Sequence, residues 1–360
     1  MKKYILAICI LGTLCSSCEN NQEKIRNVED WTQYVEPRIG TAHCRWFHFT
    51  PGALPFGLAK PAPSTNGSLG NKWGWEATGY DYRENTIEGF PCLHEFQVGG
   101  IVLMPTSGKL ITVPGLPTDS VKTGYRSHFS RENEIATAGY YSVLLDDYQI
   151  QAELTATPRV AFQRFTFPKG TDNHILFNIG NRQGESGAVK DAYVTYTADG
   201  HIEGWVITMP EYVKKYQPGA TVPLYFSAVL DRKPESYGSF HGNTQLADAK
   251  ESKGTGAGMY FTFSNEQQEA VTAKIGLSYT SVENARINLQ AEAEGKTFED
   301  AKEQAHQIWQ EYLGRIEVET SKREDKVKFY TGLYHALLGR GLANDVNGAY
   351  PRNDGSVGQL

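Results

Sequence analysis

The chain has 360 residues, of which 40% are hydrophobic and 12% aromatic; this is enough to bury a sizeable core and excludes a disordered or fibrous protein. Its 35 basic and 41 acidic residues give a formal net charge of −6, so it offers no basic surface for a nucleic-acid backbone. The 36 glycines and 20 tyrosines against 4 methionines favour a turn-rich β protein, and the length suggests about two domains.

The N-terminus carries an export signal. Lys2 and Lys3 precede the apolar residues 4–14, a run too short to span a bilayer, and small residues then lead to Cys18. Lipoprotein signal peptidase accepts small residues before a cysteine, so we predict a signal peptide at 1–17, a lipidated Cys18 and a flexible tether at 18–30. An ordinary secretory signal cut nearby is the alternative.

An exported lipoprotein in the periplasm, the outer membrane or at the cell surface follows from this signal. We expect it to meet a membrane only through a lipid anchor at Cys18. The mature body then keeps only Cys44 and Cys92. These two could pair in an oxidising compartment, but one bridge is no disulfide scaffold, so the pairing stays open.

Short apolar runs separated by Gly, Pro, Asn and Asp fill the chain from Tyr34 to about Tyr279. Such runs with turn residues between them are typical of strands. Paired acids at 146–147 lie between two of the runs, where a hairpin turn is the usual meaning. The pattern predicts an antiparallel sandwich, with strands that include residues 101–104, 140–145, 150–154, 160–167, 175–179, 193–197, 222–230, 259–263 and 271–279.

Near Ser281 the apolar period becomes helical. One helix is predicted over 282–293 and ends at Gly295; a second follows Thr297, with Asp300 completing a capping box. A third, apolar helix runs to Gly339. Its face needs cover, so it either folds back on the sandwich or opens a further domain; we favour the second.

Common chemical motifs are absent or incomplete. There is no P-loop, and the glycines at 254–258 lack the setting of a dinucleotide fingerprint. His94-Glu95 begins like a zinc-protease helix, but the second histidine is missing. His43, Cys44 and His48 are not on a helix that would align them around a metal, so structural or substrate-facing roles are favoured.

Two segments are candidates for ligand binding. Residues 71–76 place Trp73 and Trp75 in a glycine-bearing loop, where indoles can support the apolar face of a sugar ring; two core tryptophans are the alternative. A second predicted loop, residues 90–100, brings His94, Glu95 and Gln97 together. These groups could grip hydroxyls, or they could be a hydrogen-bonded loop without a ligand.

A series of short segments occurs in order across nearly all of the mature chain. They are YVEPRIGT (34–41), PGALPFG (51–57), GYDY (79–82), IEGF (87–90), LMPT (103–106), YRSHFS (125–130), AGYYSVLL (138–145), GLSY (276–279), FYTGLYHA (329–336) and NDVNG (344–348). With these segments the chain resembles glycoside hydrolase family 92, the calcium-dependent α-mannosidases, and the number of ordered matches makes the signal specific.

The resemblance implies a fold that is mainly β with a helical C-terminal part. A β-supersandwich would occupy residues 31–280, a helical linker 281–322, and the start of a truncated (α/α)6 barrel 323–360. The family's catalytic Glu acid, its Asp base and its calcium ligands would lie in the barrel beyond Leu360. No catalytic residue and no metal ligand is therefore assigned within this chain.

The implied reaction is exo-acting hydrolysis of terminal α-mannose with inversion, in which an acid protonates the leaving oxygen while a base activates water. Calcium would bind O2 and O3 of the sugar. Trp73 and Trp75 match the family's tryptophan-containing substrate loop. Asp345 matches an acid that hydrogen-bonds the terminal mannose, so a mannose-containing glycan is the expected partner.

One segment departs from the family pattern. Many members have a His-Thr-His type of segment followed by Leu-Ser-Gly, whereas residues 92–100 of this chain read CLHEFQVGG and keep only the second histidine, His94. The change puts the common α-1,2 linkage preference in doubt. We therefore predict that Glu95 and Gln97 face a different aglycone or linkage.

Two other classes of protein remain as alternatives. A lipid-anchored carbohydrate-binding module could use the sandwich and its tryptophans without catalysis. A structural subunit could instead dock a separate barrel chain through the last helix. The length of the reading frame and co-purification of a partner would distinguish these from the enzyme.

Overall fold

The computed structural model describes residues 29–42, 48–65, 67, 79–95, 98–116, 123–182, 187–210, 215–339 and 341–360, with only the backbone at 95, 98 and 171. Residues Trp31–Leu360 form one unit of contacts and Met1–Asp30 another. In the described part no helix combines the length and the apolar character needed to cross a membrane.

Two antiparallel sheets dominate residues 86–278. The nine-stranded sheet has the order β15-β10-β11-β12-β17-β8-β7-β6-β5, and the six-stranded sheet has the order β14-β13-β16-β9-β3-β2. Strands β1 and β4 pair separately, and β18 and β19 form a late hairpin. The strands are β1 (Thr86–Ile87), β2 (Phe90–Glu95), β3 (Val98–Ser107), β4 (Ser127–His128), β5 (Glu134–Thr137), β6 (Tyr140–Leu145), β7 (Ile150–Ala156), β8 (Val160–Phe167), β9 (Gly170–Asn178), β10 (Ala188–Tyr196), β11 (Ile202–Met209), β12 (Val222–Leu230), β13 (Ser236–His241), β14 (Thr244–Ala247), β15 (Glu251–Lys253), β16 (Ala257–Asn265), β17 (Glu269–Ser278), β18 (Ala349–Pro351) and β19 (Val357–Gln359).

The main core lies between the two sheets. Phe177 of β9 stacks on Phe226 of β12 with ring centroids 6.4 Å apart, so the inner faces of the sheets interdigitate. Alternation makes this possible, since β11 is buried at every second residue. The chain is therefore a sandwich over these strands, as its apolar pattern predicts.

Three helices follow the last strand of the sandwich: α1 (Val282–Ala293), α2 (Phe298–Leu313) and α3 (Arg323–Leu338). Helix α1 packs on the outer face of β17, where a Cβ at Gly276 would lie 2.3 Å from the Ala285 carbonyl oxygen. Glycine is required at that contact because any side chain would collide with the helix backbone. Helix α2 begins at the predicted capping box, with the Thr297 hydroxyl accepting from the Asp300 amide.

A second core joins helices α2 and α3 to the first part of the chain. The Trp309 side chain is fully buried, and its indole N–H donates to the Ala53 carbonyl oxygen at 2.7 Å. Tyr330 of α3 stacks on Tyr34 with ring centroids 5.7 Å apart. The apolar face of α3 is thus partly covered by the segment that precedes β1.

The sequence prediction of a loop over residues 90–100 is wrong for residues 90–95 and 98–100, which lie in strands β2 and β3. Phe90–Glu95 is strand β2, which pairs antiparallel with β3. Pro91 suggests a turn in the sequence, but β2 is an edge strand, where a residue without an N–H is tolerated. The Pro91 carbonyl oxygen accepts a hydrogen bond from the Ala62 amide, so the segment that precedes β1 covers this edge strand.

Candidate functional site

The structure describes two of the residues predicted to bind substrate. Trp73 and Trp75 lie outside the described residues, as does Cys18. Glu95 ends strand β2, and only its backbone is described. The side chains of His94 and Asp345 are described, and they occupy different environments.

His94 lies on β2 and is buried, with its ring against that of Phe49 at a centroid distance of 5.3 Å. Within the residues that the structure describes, its Nδ1 atom has no hydrogen-bond partner. Burial lowers the pKa of His94 to about 3, so the imidazole is neutral near pH 7. A buried nitrogen without a partner is costly unless something satisfies it, which makes His94 a candidate for a ligand hydroxyl or a water.

The His94 ring also touches the base of the tryptophan-bearing segment. A Cβ at Gly79, whose φ is +79°, would lie 3.2 Å from His94 Nε2. Gly79 directly follows residues 66–78. Gly79, at one end of the tryptophan-bearing segment, therefore lies beside His94.

Hydrogen bonds fix both ends of residues 66–78. The Thr65 amide donates to the Gly79 carbonyl oxygen at 2.8 Å, and the Thr65 hydroxyl donates to the same atom at 3.1 Å. Behind them, Arg126 forms a buried ion pair with Glu88, and its guanidinium also donates to the Thr65 carbonyl oxygen. Thr65, Gly79, Arg126 and Glu88, called the clamp below, thus hold the two ends of the segment together.

A second buried polar cluster supports the chain just after the clamp. The Glu134 carboxylate accepts from the hydroxyls of Tyr80 and Tyr141 at 2.8 and 2.9 Å and from Arg131 at 2.9 Å. Burial raises the pKa of both tyrosines, which stay protonated and donate. Tyr80 and Tyr141 belong to the family-like segments, but the bond from Tyr80 to Glu134 joins positions 54 residues apart, so no local pattern reveals it.

Asp345 lies after α3 and is almost fully buried, with 1% of its surface exposed. Its Oδ2 accepts from the Thr280 hydroxyl at 2.5 Å, and its Oδ1 accepts from Asn288 Nδ2 at 2.7 Å. The Asp345 amide donates to the Ala349 carbonyl oxygen. Both carboxylate oxygens thus bond to the protein, so a direct contact with mannose would have to share one of them and stays a prediction.

His48, which the sequence analysis considered as a metal ligand, contacts His335 of helix α3. Its Nδ1 lies 3.1 Å from Nδ1 of His335, so one of the two nitrogens donates to the other. Burial, with a smaller contribution from His48, lowers the pKa of His335 to about 4. His43 and Cys44 lie outside the described residues, and Cys92 is a buried free thiol.

The described residues do not fit a calcium site. Calcium takes six to eight oxygen ligands, often from several carboxylates. Among the residues that the structure describes, no group of three or more His, Cys, Asp or Glu side chains could hold a metal ion. The buried carboxylates of Glu88 and Glu134 are each engaged by an arginine instead.

Comparison with known proteins gives matches along nearly all of the chain. The model of the glycosyl hydrolase family 92 N-terminal domain matches residues 34–278, and that of the glycosyl hydrolase family 92 catalytic domain matches residues 284–359. An uncharacterized secreted glycosidase of Arthroderma benhamiae is 25% identical over 339 residues, which is 86% of this chain and 41% of the relative.

Solved structures with the same fold include two mannosidases of Bacteroides thetaiotaomicron. A family GH92 α-mannosidase is 26% identical with a TM-score of 0.83, covering 92% of this chain and 44% of its own, and was also solved in complex with mannoimidazole. A family GH92 inverting mannosidase, at 22% identity and a TM-score of 0.77, covers 93% and 43% and supports the fold alone. The chain spans less than half the length of these relatives. The likeness confirms the predicted fold class, which is mainly β with a sandwich and late helices.

Proposed function

Because the chain belongs to glycosyl hydrolase family 92, we propose that it is the sandwich-bearing part of an α-mannosidase that removes terminal α-linked mannose from mannosides and N-glycans. The observation that carries the proposal is the likeness, over nearly the whole chain, to an α-mannosidase that was also solved with mannoimidazole. The export signal and the secreted relative support an enzyme that acts outside the cytoplasm.

The chemistry we propose is a single displacement with inversion. An acid protonates the glycosidic oxygen while a base activates water, and the two carboxyl groups stand about 6.5–9.5 Å apart to admit that water. Glu88 and Glu134 are unsuited to either role because each is buried and held by an arginine. We therefore place the acid and the base in the part of the relatives that this chain does not match.

We propose that calcium, which the family resemblance implies, also binds outside the described residues. When bound it would supply positive charge next to the sugar hydroxyls. The buried carboxylates of Glu88, Glu134 and Asp345 each bind protein donors instead. No step of the mechanism is assigned to them through a metal.

We propose substrate roles for six residues of this chain. Trp73 and Trp75 would stack on the apolar face of the sugar, and His94 would offer its unpaired Nδ1 to a hydroxyl. Glu95 and Gln97 would face the aglycone and set the linkage. Asp345 would act at the terminal mannose, either directly or by holding the residues around it. Upstream of all of these, Cys18 would carry the lipid that anchors the exported enzyme.

Hydrolysis assays test the proposed function. Aryl α-mannoside and α-1,2-, α-1,3- and α-1,6-mannobiose would be given to this 360-residue chain and to the complete gene product, each with and without a calcium chelator. We expect activity only from the complete product, and we expect chelation to abolish it. The linkage that is cleaved fastest then reports what the Glu95 segment selects.

Two results would contradict the proposal. Hydrolysis by the 360-residue chain alone would place the catalytic carboxylates within it. Glycan binding without hydrolysis by either protein would favour the non-catalytic carbohydrate-binding module.

A further inference from the structure

A groove of about 650 Å³ opens at one end of the nine-stranded sheet, where β12 begins and β17 ends. One wall is formed by Tyr225, Tyr279 and Thr280, and the other by the hairpin of β18 and β19 with Arg352 and Asp354. This volume lies within the range of about 300–1,000 Å³ that small-molecule sites occupy. The groove therefore has room for sugar residues.

The hairpin wall presents two charged groups that the protein leaves largely unused. Asp354 Oδ1 accepts from the Ser356 amide at 2.9 Å and from the Ser356 hydroxyl at 2.6 Å, whereas Oδ2 has no partner within the described residues. The Arg352 side chain is exposed and has its guanidinium carbon 5.9 Å from the centroid of the Tyr350 ring, but it makes no hydrogen bond or ion pair in the described part of the chain. A carboxylate and a guanidinium thus stand two residues apart with free bonding capacity.

The state of Asp354 suits hydrogen bonding to hydroxyls. The Ser356 hydroxyl and amide lower the pKa of the Asp354 carboxyl below its usual range, so the group is ionised at neutral pH. An ionised carboxylate accepts strong hydrogen bonds, and a guanidinium donates them in a planar fork. Together they can bind neighbouring hydroxyls of one pyranose.

The sheet wall supplies the apolar part of such a site. Tyr225 pairs in register with Ser278, and its ring is half-buried at the start of β12. Tyr279 directly follows Ser278, the residue that pairs with Tyr225, and is also half-buried. Tyrosine combines an aromatic face with a polar tip, so two of them can cover the apolar face of a sugar while staying wet at the rim.

Asp345 lies directly behind this groove. Thr280 lines the groove, and its hydroxyl donates to Asp345 Oδ2 at 2.5 Å while accepting from Asn284 Nδ2 at 2.7 Å. Asp345 is buried and engaged on both oxygens, whereas Asp354 is exposed. Asp345 is therefore placed to position Thr280, and the carboxylate that can reach a ligand in the groove is that of Asp354.

We propose that this groove is a sugar-binding subsite in which Asp354 accepts from hydroxyls, Arg352 donates to them and Tyr225 stacks on the ring. The identity of the sugar as a mannosyl residue of the substrate rests on the proposed function. The groove itself rests on the geometry of the two walls.

Calorimetric titration of the complete gene product with the three mannobioses, in the presence of the calcium chelator that is expected to stop their hydrolysis, tests this subsite. Asp354→Asn, Arg352→Ala and Tyr225→Ala should each weaken binding at least about tenfold, because each removes a charge-assisted hydrogen bond or a stacking face. KM should rise by a similar factor while kcat changes by less than about twofold, as for a lost binding contact. Asp172→Asn, an exposed aspartate elsewhere, should match the wild type.

The outcomes separate the subsite from the proposed function. If the protein cleaves no α-mannoside, but a glycan array finds another sugar whose binding the three variants lose, the subsite stands and the mannosidase does not. If mannosides are cleaved and all three variants keep wild-type affinity and KM, the subsite is overturned. It is also overturned if the protein binds no sugar. Asp354→Asn keeps the shape of an exposed side chain, so a wild-type melting temperature for that variant excludes misfolding as the cause of a loss.

Discussion

Burial decides the protonation of the histidine on β2. Because His94 is neutral in the folded protein down to about pH 3, the unfolded chain binds the extra proton once the pH falls below about 6.5. The unfolded state then gains stability relative to the folded state. The unfolding free energy therefore falls as the pH decreases from about 6.5 towards 3, because only the unfolded state binds this proton.

We expect His94→Gln to flatten the pH dependence of stability. The wild type should lose about 1.4 kcal/mol more per pH unit than the variant between pH 6 and pH 4, and denaturant unfolding at several pH values measures the two slopes. His241→Gln, at an exposed histidine, should retain the wild-type slope. Equal slopes for wild type and His94→Gln would show that His94 is solvated rather than buried.

Asp345 is a residue whose structural and substrate roles can be separated. Asp345→Asn turns one acceptor towards Thr280 or Asn288 into a donor, so a buried bond is lost and the unfolding free energy should fall by about 1–3 kcal/mol. Thermal unfolding measures this, with Asp172→Asn as the control. A wild-type melting temperature together with a raised KM would instead indicate a direct contact with the sugar.

Among the elements, those defined by neighbouring residues could be predicted from the sequence and those defined by distant contacts could not. Helix α2 was predicted because Thr297 and Asp300 are three residues apart, and its cap is confirmed. The sequence predicts a loop where strand β2 lies, because the edge position that allows Pro91 in a strand is a tertiary property that no local pattern shows. Similarly, Asp345 was named from the sequence, but its bond to Asn288 spans 57 positions.

The cap of α2 gives a prediction at this scale. Thr297→Ala removes the acceptor for the Asp300 amide and should lower the unfolding free energy by about 1 kcal/mol. Adding Asp300→Ala should cost less than the sum of the single changes, because both belong to one capping box. Denaturant unfolding measures the effect, and Thr244→Ala on the exposed strand β14 is the matched control. Strict additivity would contradict a reciprocal cap.

At the scale of the whole molecule, the sandwich and the late helices are joined through a small second core. Trp309 is central to it because its indole donates to the Ala53 carbonyl while its ring packs on Tyr334 at 4.7 Å between centroids. The sequence predicted the helix and its apolar face but not the surface that receives it. The family and the fold class could both be predicted because short matching segments occur in the same order along the sequence. Contacts between single distant residues leave no such pattern.

Weakening this second core should loosen the helices before the sandwich. Trp309→Phe leaves the Ala53 carbonyl oxygen unsatisfied and should cost about 1–3 kcal/mol. Hydrogen exchange should speed up in α2 and α3 while β8 and β17 keep their protection. Trp205→Phe, on the half-buried face of β11, is the control and should leave the helices unchanged. Uniform loss of protection would show that the two cores unfold as one.

The clamp of Thr65 and Gly79 also affects how such a protein can diversify. Thr65 and Gly79, the residues on either side of the intervening segment, are hydrogen-bonded to each other. The stability of the rest of the fold should therefore depend little on the length and composition of that segment. Doubling the length of a closed loop costs only about 0.6 kcal/mol in entropy. Insertions and replacements between the two residues should therefore cost little stability, so the proposed glycan contacts of this segment could change without changes in the scaffold.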